Sequence, residues 1–179
     1  MDPVKITGGN GNRRKNDFYP TPKEATQALI DFLELEKTVT IWEPAAGKYD
    51  IVHVLEDNGY KDIIATDIIT GTDFLNNDIQ LNPGDWIITN PPFSLSSEFI
   101  KTAFNKKCNF AFLLKAQYWN SKKRYTLFYE TKPAYVLPLT WRPDFTGQKN
   151  SLMDCIWCVW FFGYHGETVF KPLLKGSKK

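Results

Sequence analysis

Short unbroken apolar runs alternate along this chain with stretches whose apolar residues recur every three or four positions, which predicts buried strands joined by amphipathic helices. Strands are expected from Thr40 onward, then over Ile63 to Asp67, Asp85 to Thr89, Asn109 to Lys115, Ala134 to Leu139 and Met153 to Phe162. The first helix is predicted to open at a capping box, Thr21-Pro22-Lys23-Glu24, with proline at its first position and Ala25, Ala28, Leu29, Phe32 and Leu33 as its apolar stripe. A second runs from Asp50 to Asn58, with Ile51, Val52 and Leu55 inward and Asn58-Gly59 closing it. A third follows Phe93, capped by Ser94 or Ser96, with Leu95, Phe99, Ile100 and Ala103 inward; a fourth covers Ser121 to Tyr129. No long loop is expected between helix and sheet elsewhere. Periodicity alone specifies an α/β domain. Residues 1–16 read as a flexible basic arm, 17–170 as one domain and 171–179 as a basic tail.

The most informative strand end is Asn90-Pro91-Pro92-Phe93, directly behind Asp85-Trp86-Ile87-Ile88-Thr89. Two prolines stiffen the turn and donate no hydrogen bonds, so the carbonyls of Asn90 and Pro91 stay free to accept. The Asn90 amide adds an acceptor and Phe93 a flat apolar face. That set suits a planar group carrying an exocyclic NH₂; a double-proline turn at an edge strand, with Phe93 in the core, would leave the same trace. The upstream sequence favours the functional reading. Thr40-Ile41-Trp42-Glu43-Pro44-Ala45-Ala46-Gly47 reads as strand and small-residue loop, a helix follows, and the next strand ends on Asp67. This is the order of a nucleotide-binding βαβ unit, in which the loop lets a ligand approach the backbone and the carboxylate takes ribose hydroxyls.

Composition narrows the picture further. The 179 residues suit one domain with a full core, and no apolar run approaches the ~20 residues that span a bilayer, so a soluble cytoplasmic protein is expected. Cys155 and Cys158 lie three apart on a predicted strand, facing opposite ways, and Cys108 is distant; all three read as core thiols. His53 and His165 match no metal or triad spacing. The net charge of +2 hides a reversal: 4 basic against 15 acidic residues from Asp17 to Ile100, then 10 basic against 2 acidic from Lys101 to Lys149. An acidic half tolerates a cationic cofactor, and a basic half suits a polyanion.

These motifs together resemble the phage-type S-adenosylmethionine-dependent DNA N6-adenine methyltransferases, over about Asp17 to Phe162. The resemblance implies a Rossmann-like class I methyltransferase fold: a seven-stranded, mostly parallel sheet with helices on both faces and an antiparallel closing strand. It implies S-adenosylmethionine as cofactor. Asp17-Phe18-Tyr19-Pro20-Thr21-Pro22 matches the segment that closes over its methionine end, with Tyr19, Thr21 and Pro22 as contacts. Glu43, Ala45 and Gly47 match the cofactor loop, Asp67 the ribose-binding acid, and Asp73-Phe74 the pair near the cofactor adenine. Asn90, Pro91, Pro92 and Phe93 match the catalytic tetrapeptide. Where the family has another glycine two residues after Gly47, this chain has Tyr49, a side chain expected to narrow the loop or shift the helix start.

The substrate side rests on Trp141-Arg142-Pro143-Asp144-Phe145-Thr146-Gly147. An exposed aromatic in a Pro/Gly loop suits a ring that sandwiches an unstacked base against Phe93, with Phe145 the expected one, while Trp141 and Phe145 covering the sheet edge would leave the same trace. Lys122, Lys123 and Arg124 fit phosphate contacts and fit a solvated face equally well. DNA is the expected partner, with target recognition open to supply by a second protein. The tetrapeptide chemistry equally serves an RNA base, cytosine N4 or a protein glutamine, and a catalytically silent nucleic-acid-binding relative stays open because of Tyr49.

Overall fold

A computed structural model describes residues 19–147, 151 and 153–176. The expected arm over 1–16, Asp17-Phe18 of the closing segment, and Lys149 lie outside the described residues. Seven strands form one sheet: β1 (Ile41–Glu43), β2 (Ile63–Ala65), β3 (Trp86–Thr89), β4 (Asn109–Lys115), β5 (Tyr135–Pro138), β6 (Cys155–Trp160) and β7 (Val169–Phe170). Their order is β2-β1-β3-β4-β6-β5-β7. All pairings are parallel except those of β6, which runs antiparallel to both neighbours, β4 and β5. This is the Rossmann-like class I methyltransferase architecture. The antiparallel strand sits inside the sheet, and the far edge belongs to β7, which the hydrophobic pattern does not announce.

Side chains alternate across the central strands. Trp86 and Ile88 of β3, Ala111 and Leu113 of β4, and Cys155, Trp157 and Val159 of β6 face α1 (Lys23–Leu33) and α2 (Asp50–Asp57). Ile87, Phe110, Phe112, Leu114, Ile156, Cys158 and Trp160 face α3 (Ser96–Asn105) and α4 (Tyr125–Glu130). Burial on both faces is why these strands read as continuous apolar runs. The indole N–H groups find backbone acceptors: Trp157 donates to the Ala25 carbonyl at 2.8 Å and Trp160 to that of Thr131. Cys155 and Cys158 lie on opposite faces, and burial pushes them and Cys108 up to about 12, so all three are inert core thiols. No helix among the described residues is long and apolar enough to cross a membrane.

Several local expectations are corrected. Helix α1 begins behind Pro22 with no side-chain cap, because the Thr21 hydroxyl is engaged elsewhere. A one-turn 3-10 segment (Phe93–Leu95) precedes α3, whose N-cap is Leu95; Ser96 is already helical and its hydroxyl donates to the carbonyls of Pro92 and Phe93. Leu95 is exposed, not inward. The segment from Ser121 splits into a 3-10 turn (Lys122–Arg124) and α4. A long loop does exist, between β2 and β3. Its N–H groups are tied down by short polar side chains: Asp73 accepts from Leu75, Asn77 from Ile79 and Asp85 from Asn82. The basic tail cannot start at 171, since Leu173 is buried in the core and pairs with Leu139.

Tyr49 takes the left-handed conformation, φ 65°, immediately before α2. Helix α2 still starts at Asp50, as expected. A non-glycine residue in that region carries ~1–2 kcal/mol of strain, and Tyr49 is 42% exposed with its ring against His53. Tyr49→Gly should therefore raise unfolding stability by about 1 kcal/mol; a lower midpoint in denaturant titration would mean that ring packing outweighs the strain.

Candidate functional site

A cavity of about 900 Å³ opens where β1, β2, β3 and β4 end. In a parallel sheet covered on both faces these carboxyl ends are where polar groups and ligands collect. Its wall brings together Tyr19, Thr21, Glu43, Ala45, Asp67, Asp73, Phe74, Asn90, Pro92 and Phe93, ten of the residues singled out from the sequence.

Asn90, just past β3, is held in one orientation. Its amide nitrogen donates to the Tyr19 carbonyl and to the Thr21 hydroxyl, each at 3.1 Å. A carbonyl only accepts, so the group facing Tyr19 must be the NH₂. Both amide protons are thereby spent on the N-terminal segment, and Oδ1 is left to accept from whatever enters the cavity. Phe93 meets the Tyr19 ring at 5.6 Å between centroids. Pro91 is buried beneath the wall and takes no part in the lining.

Glu43 ends β1 and is 1% exposed. The Thr89 hydroxyl of β3 donates to its Oε1, as does the Ala45 N–H at 3.3 Å, while Oε2 has no partner. Burial drives its pKa up to about 8; those two hydrogen bonds oppose the rise, and repulsion from Asp67 and Asp50 adds to it. A carboxyl in the cavity wall with one oxygen unpartnered suits a cationic or hydrogen-bond-donating group.

Asp67 ties the loop to the sheet. Its Oδ2 accepts from the Gly47 N–H and its Oδ1 from that of Ile69, both at 2.9 Å. Gly47, at φ 50°, thus shapes the loop without lining the cavity. Each Asp67 oxygen retains a lone pair, enough for a diol. Asp73 is exposed at the rim, and Phe74 is buried against Trp42 and Phe99 at 5.1 and 4.6 Å. Tyr49 points to a small separate recess beside His53 and Tyr60, so it does not narrow this cavity.

Other sequence candidates lie elsewhere. Pro22 is outside the lining. Phe145 is buried, 7% exposed, with its ring edge-on to Tyr19 at 6.0 Å. The expected exposed ring is therefore a support: Tyr19 faces Phe93, and Phe145 backs Tyr19. Its loop folds inward because Asp144 accepts from the N–H groups of Thr146 and Gly147. Arg124 is engaged, donating to the Tyr118 carbonyl at 2.8 Å and stacking on that ring at 4.1 Å. Lys122 and Lys123 are exposed and away from the cavity wall.

Some lining residues were not singled out from the sequence. Ile68 and Ile69, 69% and 75% exposed, follow Asp67 and with Leu75 offer apolar faces to a flat ring. Two isoleucines outside any strand, next to the acid, were the available signal. Lys115 ends β4 with its ammonium 4.8 Å above the Phe93 ring.

The Glu43 shift has a stability consequence. Its folded-state pKa lies above the unfolded value, so the folded chain holds an extra proton between about 4.5 and about 8. Stability should be full below that window and fall as pH rises through it, by up to ~1.4 kcal/mol per pH unit. Glu43→Gln should flatten the decline, measured as denaturant midpoints from pH 4 to 9; an unchanged slope would assign the pH dependence to another group.

No protein-family model matches this sequence, and no curated protein sequence matches it. Solved structures match in fold. A provisionally named RNA methyltransferase from Pyrococcus horikoshii superposes with TM-score 0.65 at 14% identity, over 88% of this chain and 93% of that one. A type I restriction-modification methyltransferase subunit from Streptococcus thermophilus gives 0.63 at 12% identity, over 86% of this chain but 47% of that one, so this chain spans about half of the subunit's length. A provisionally named class I S-adenosylmethionine-dependent methyltransferase from Listeria monocytogenes gives 0.62 at 13% identity, over 94% of this chain and 68% of that one. What the chain shares with all three is the class I methyltransferase fold.

Proposed function

We propose that this chain transfers the methyl group of S-adenosylmethionine to the N6 amino group of adenine in DNA. The observation that carries the reading is the Asn90 amide. With both protons engaged by Tyr19 and Thr21, its oxygen is a fixed acceptor in the same cavity as Glu43 and Asp67. The donor set fits the cofactor. Glu43, with one oxygen unpartnered, would hold the ammonium of its methionine end, Asp67 the ribose diol, and Ile68, Ile69 and Leu75 the adenine faces. The methyltransferase fold supports the same reading. When bound, the cofactor supplies a methyl group made electrophilic by its sulfonium.

The chain's own contribution is at the acceptor nitrogen. Conjugation with the purine ring makes that nitrogen a poor nucleophile. A hydrogen bond from one of its protons to Asn90 Oδ1 draws it toward sp³ and restores its lone pair. Phe93 offers a ring face to the base, Tyr19 packs beside Phe93, and Pro92 stiffens the turn so that the acceptor is set before substrate arrives. The base has to be flipped out or already single-stranded. The basic stretch after Ile100, including exposed Lys122 and Lys123, favours a polyanionic substrate over a protein amide.

Incubation with methyl-labelled cofactor and separate pools of duplex DNA, single-stranded DNA, RNA and protein should label DNA, as N6-methyladenine on nucleoside analysis. Label in RNA or protein would move the substrate, and no cofactor heat in calorimetry would remove the reading. Asn90→Ala should lower transfer by ~10²-fold or more. Thr21→Val, which removes one clamp partner and leaves the acceptor, should lower it by about tenfold or less. Equal losses would mean that Asn90 acts only by holding the N-terminal segment. Asp67→Ala should weaken cofactor binding by roughly tenfold or more, through lost diol bonds worth ~1–3 kcal/mol.

A further inference from the structure

We propose that Lys115 is a phosphate anchor at the substrate end of the cavity, taking the phosphodiester next to the base that rests on Phe93. The proposal deepens the reading above and borrows from it only that a nucleotide base lies against this ring. Strand β4 is buried from Phe110 to Leu114, and its last residue is a half-buried lysine in the cavity wall. The other charged groups lining the cavity are Glu43, Asp50, Asp67 and Asp73, all acids. None of them pairs with Lys115, which enters no ion pair among the described residues. Its ammonium instead lies 4.8 Å above the Phe93 ring.

A cation partly withdrawn from water, with three donors and a ring face opposite, has no anion paired with it among the described residues. The cavity is thus divided, with four carboxyl groups in its wall and one cation on the Phe93 side. Donation from Lys115 to a ring nitrogen of the base would withdraw electron density from the amino group that must attack. The productive acceptor is the phosphate, which takes an ammonium as a point charge without touching the reacting atoms.

The test is equilibrium binding of a fluorescent dodecanucleotide, as single-stranded DNA and as RNA of the same sequence, across a salt series. Lys115→Met keeps the apolar stem and removes the charge. It should weaken binding about five- to tenfold and reduce the slope of log affinity against log salt by ~0.7, the share of one phosphate on a single strand. Lys115→Arg should keep the wild-type slope, which separates a lost anchor from a damaged fold. A loss on one polymer alone supports the anchor and identifies that polymer as its source. Wild-type affinity and slope in Lys115→Met, weakened binding at unchanged slope, or no binding by the wild type would each overturn it. The failure of the methyl-transfer reading is distinguishable: a wild type with no heat for S-adenosylhomocysteine, yet with a salt slope that Lys115→Met lowers, loses the cofactor and keeps the anchor.

Discussion

Helices cover both faces of this sheet, so its inner strands can carry unpaired polar side chains only where they end. Every residue of β1 and β3 is buried, as are residues 110–114 of β4. Glu43, Asn90 and Lys115 each sit at or just beyond a strand's carboxyl end, and Asp67 sits two residues past β2. Parallel pairing brings those ends side by side. Two carboxyls, an amide and an ammonium thus share one cavity because nowhere else on these strands is a polar group affordable.

Within the cavity, long-range hydrogen bonds do the positioning. Asn90 reaches back about seventy residues to Tyr19 and Thr21. That contact fixes which face of the amide is the acceptor and holds the N-terminal segment over the site. Asp67 does the equivalent for the loop after β1, spending one lone pair of each oxygen on Gly47 and Ile69. The aromatic wall is layered in the same way: Phe145 backs Tyr19, and Tyr19 faces Phe93. Each functional group is held by a residue from a different element, so the site is rigid only when the whole sheet is formed.

What could be read from the sequence follows the range of the interaction. Uninterrupted apolar runs located β3 and β4, because burial on both faces leaves a local trace. The Asn90 to Phe93 turn was legible from its prolines, and Asn58-Gly59 from the left-handed glycine that closes α2. Thr21 looked like a helix cap because its neighbours satisfy that local pattern; its hydroxyl is instead engaged by Asn90. Phe145 looked exposed because Pro and Gly flank it, yet Asp144 folds its loop inward. Leu173 looked like part of a charged tail, since a lone bridge to Leu139 has no periodicity to announce it. Lys115 was counted as one charge among ten, because its partner, the Phe93 ring, lies on another element.

The two ends of the cavity solve one electrostatic problem in opposite ways. Four acids in one wall would repel each other, and burial makes an ionised Glu43 costlier still. Raised to about 8, its carboxyl favours the protonated form at neutral pH and lowers the negative charge that the wall must bear. Arrival of a cation reverses that balance: the carboxylate becomes the favoured form, and the proton is exchanged for the ligand's charge. In the anchor role proposed for it, Lys115 cannot follow the same course, since an exchangeable proton is of little use to a group that must stay cationic. It rests on the Phe93 ring face instead, a neutral partner that an anion can outbid. One end of the cavity thus lowers its charge by holding a proton, and the other keeps its cation against a ring.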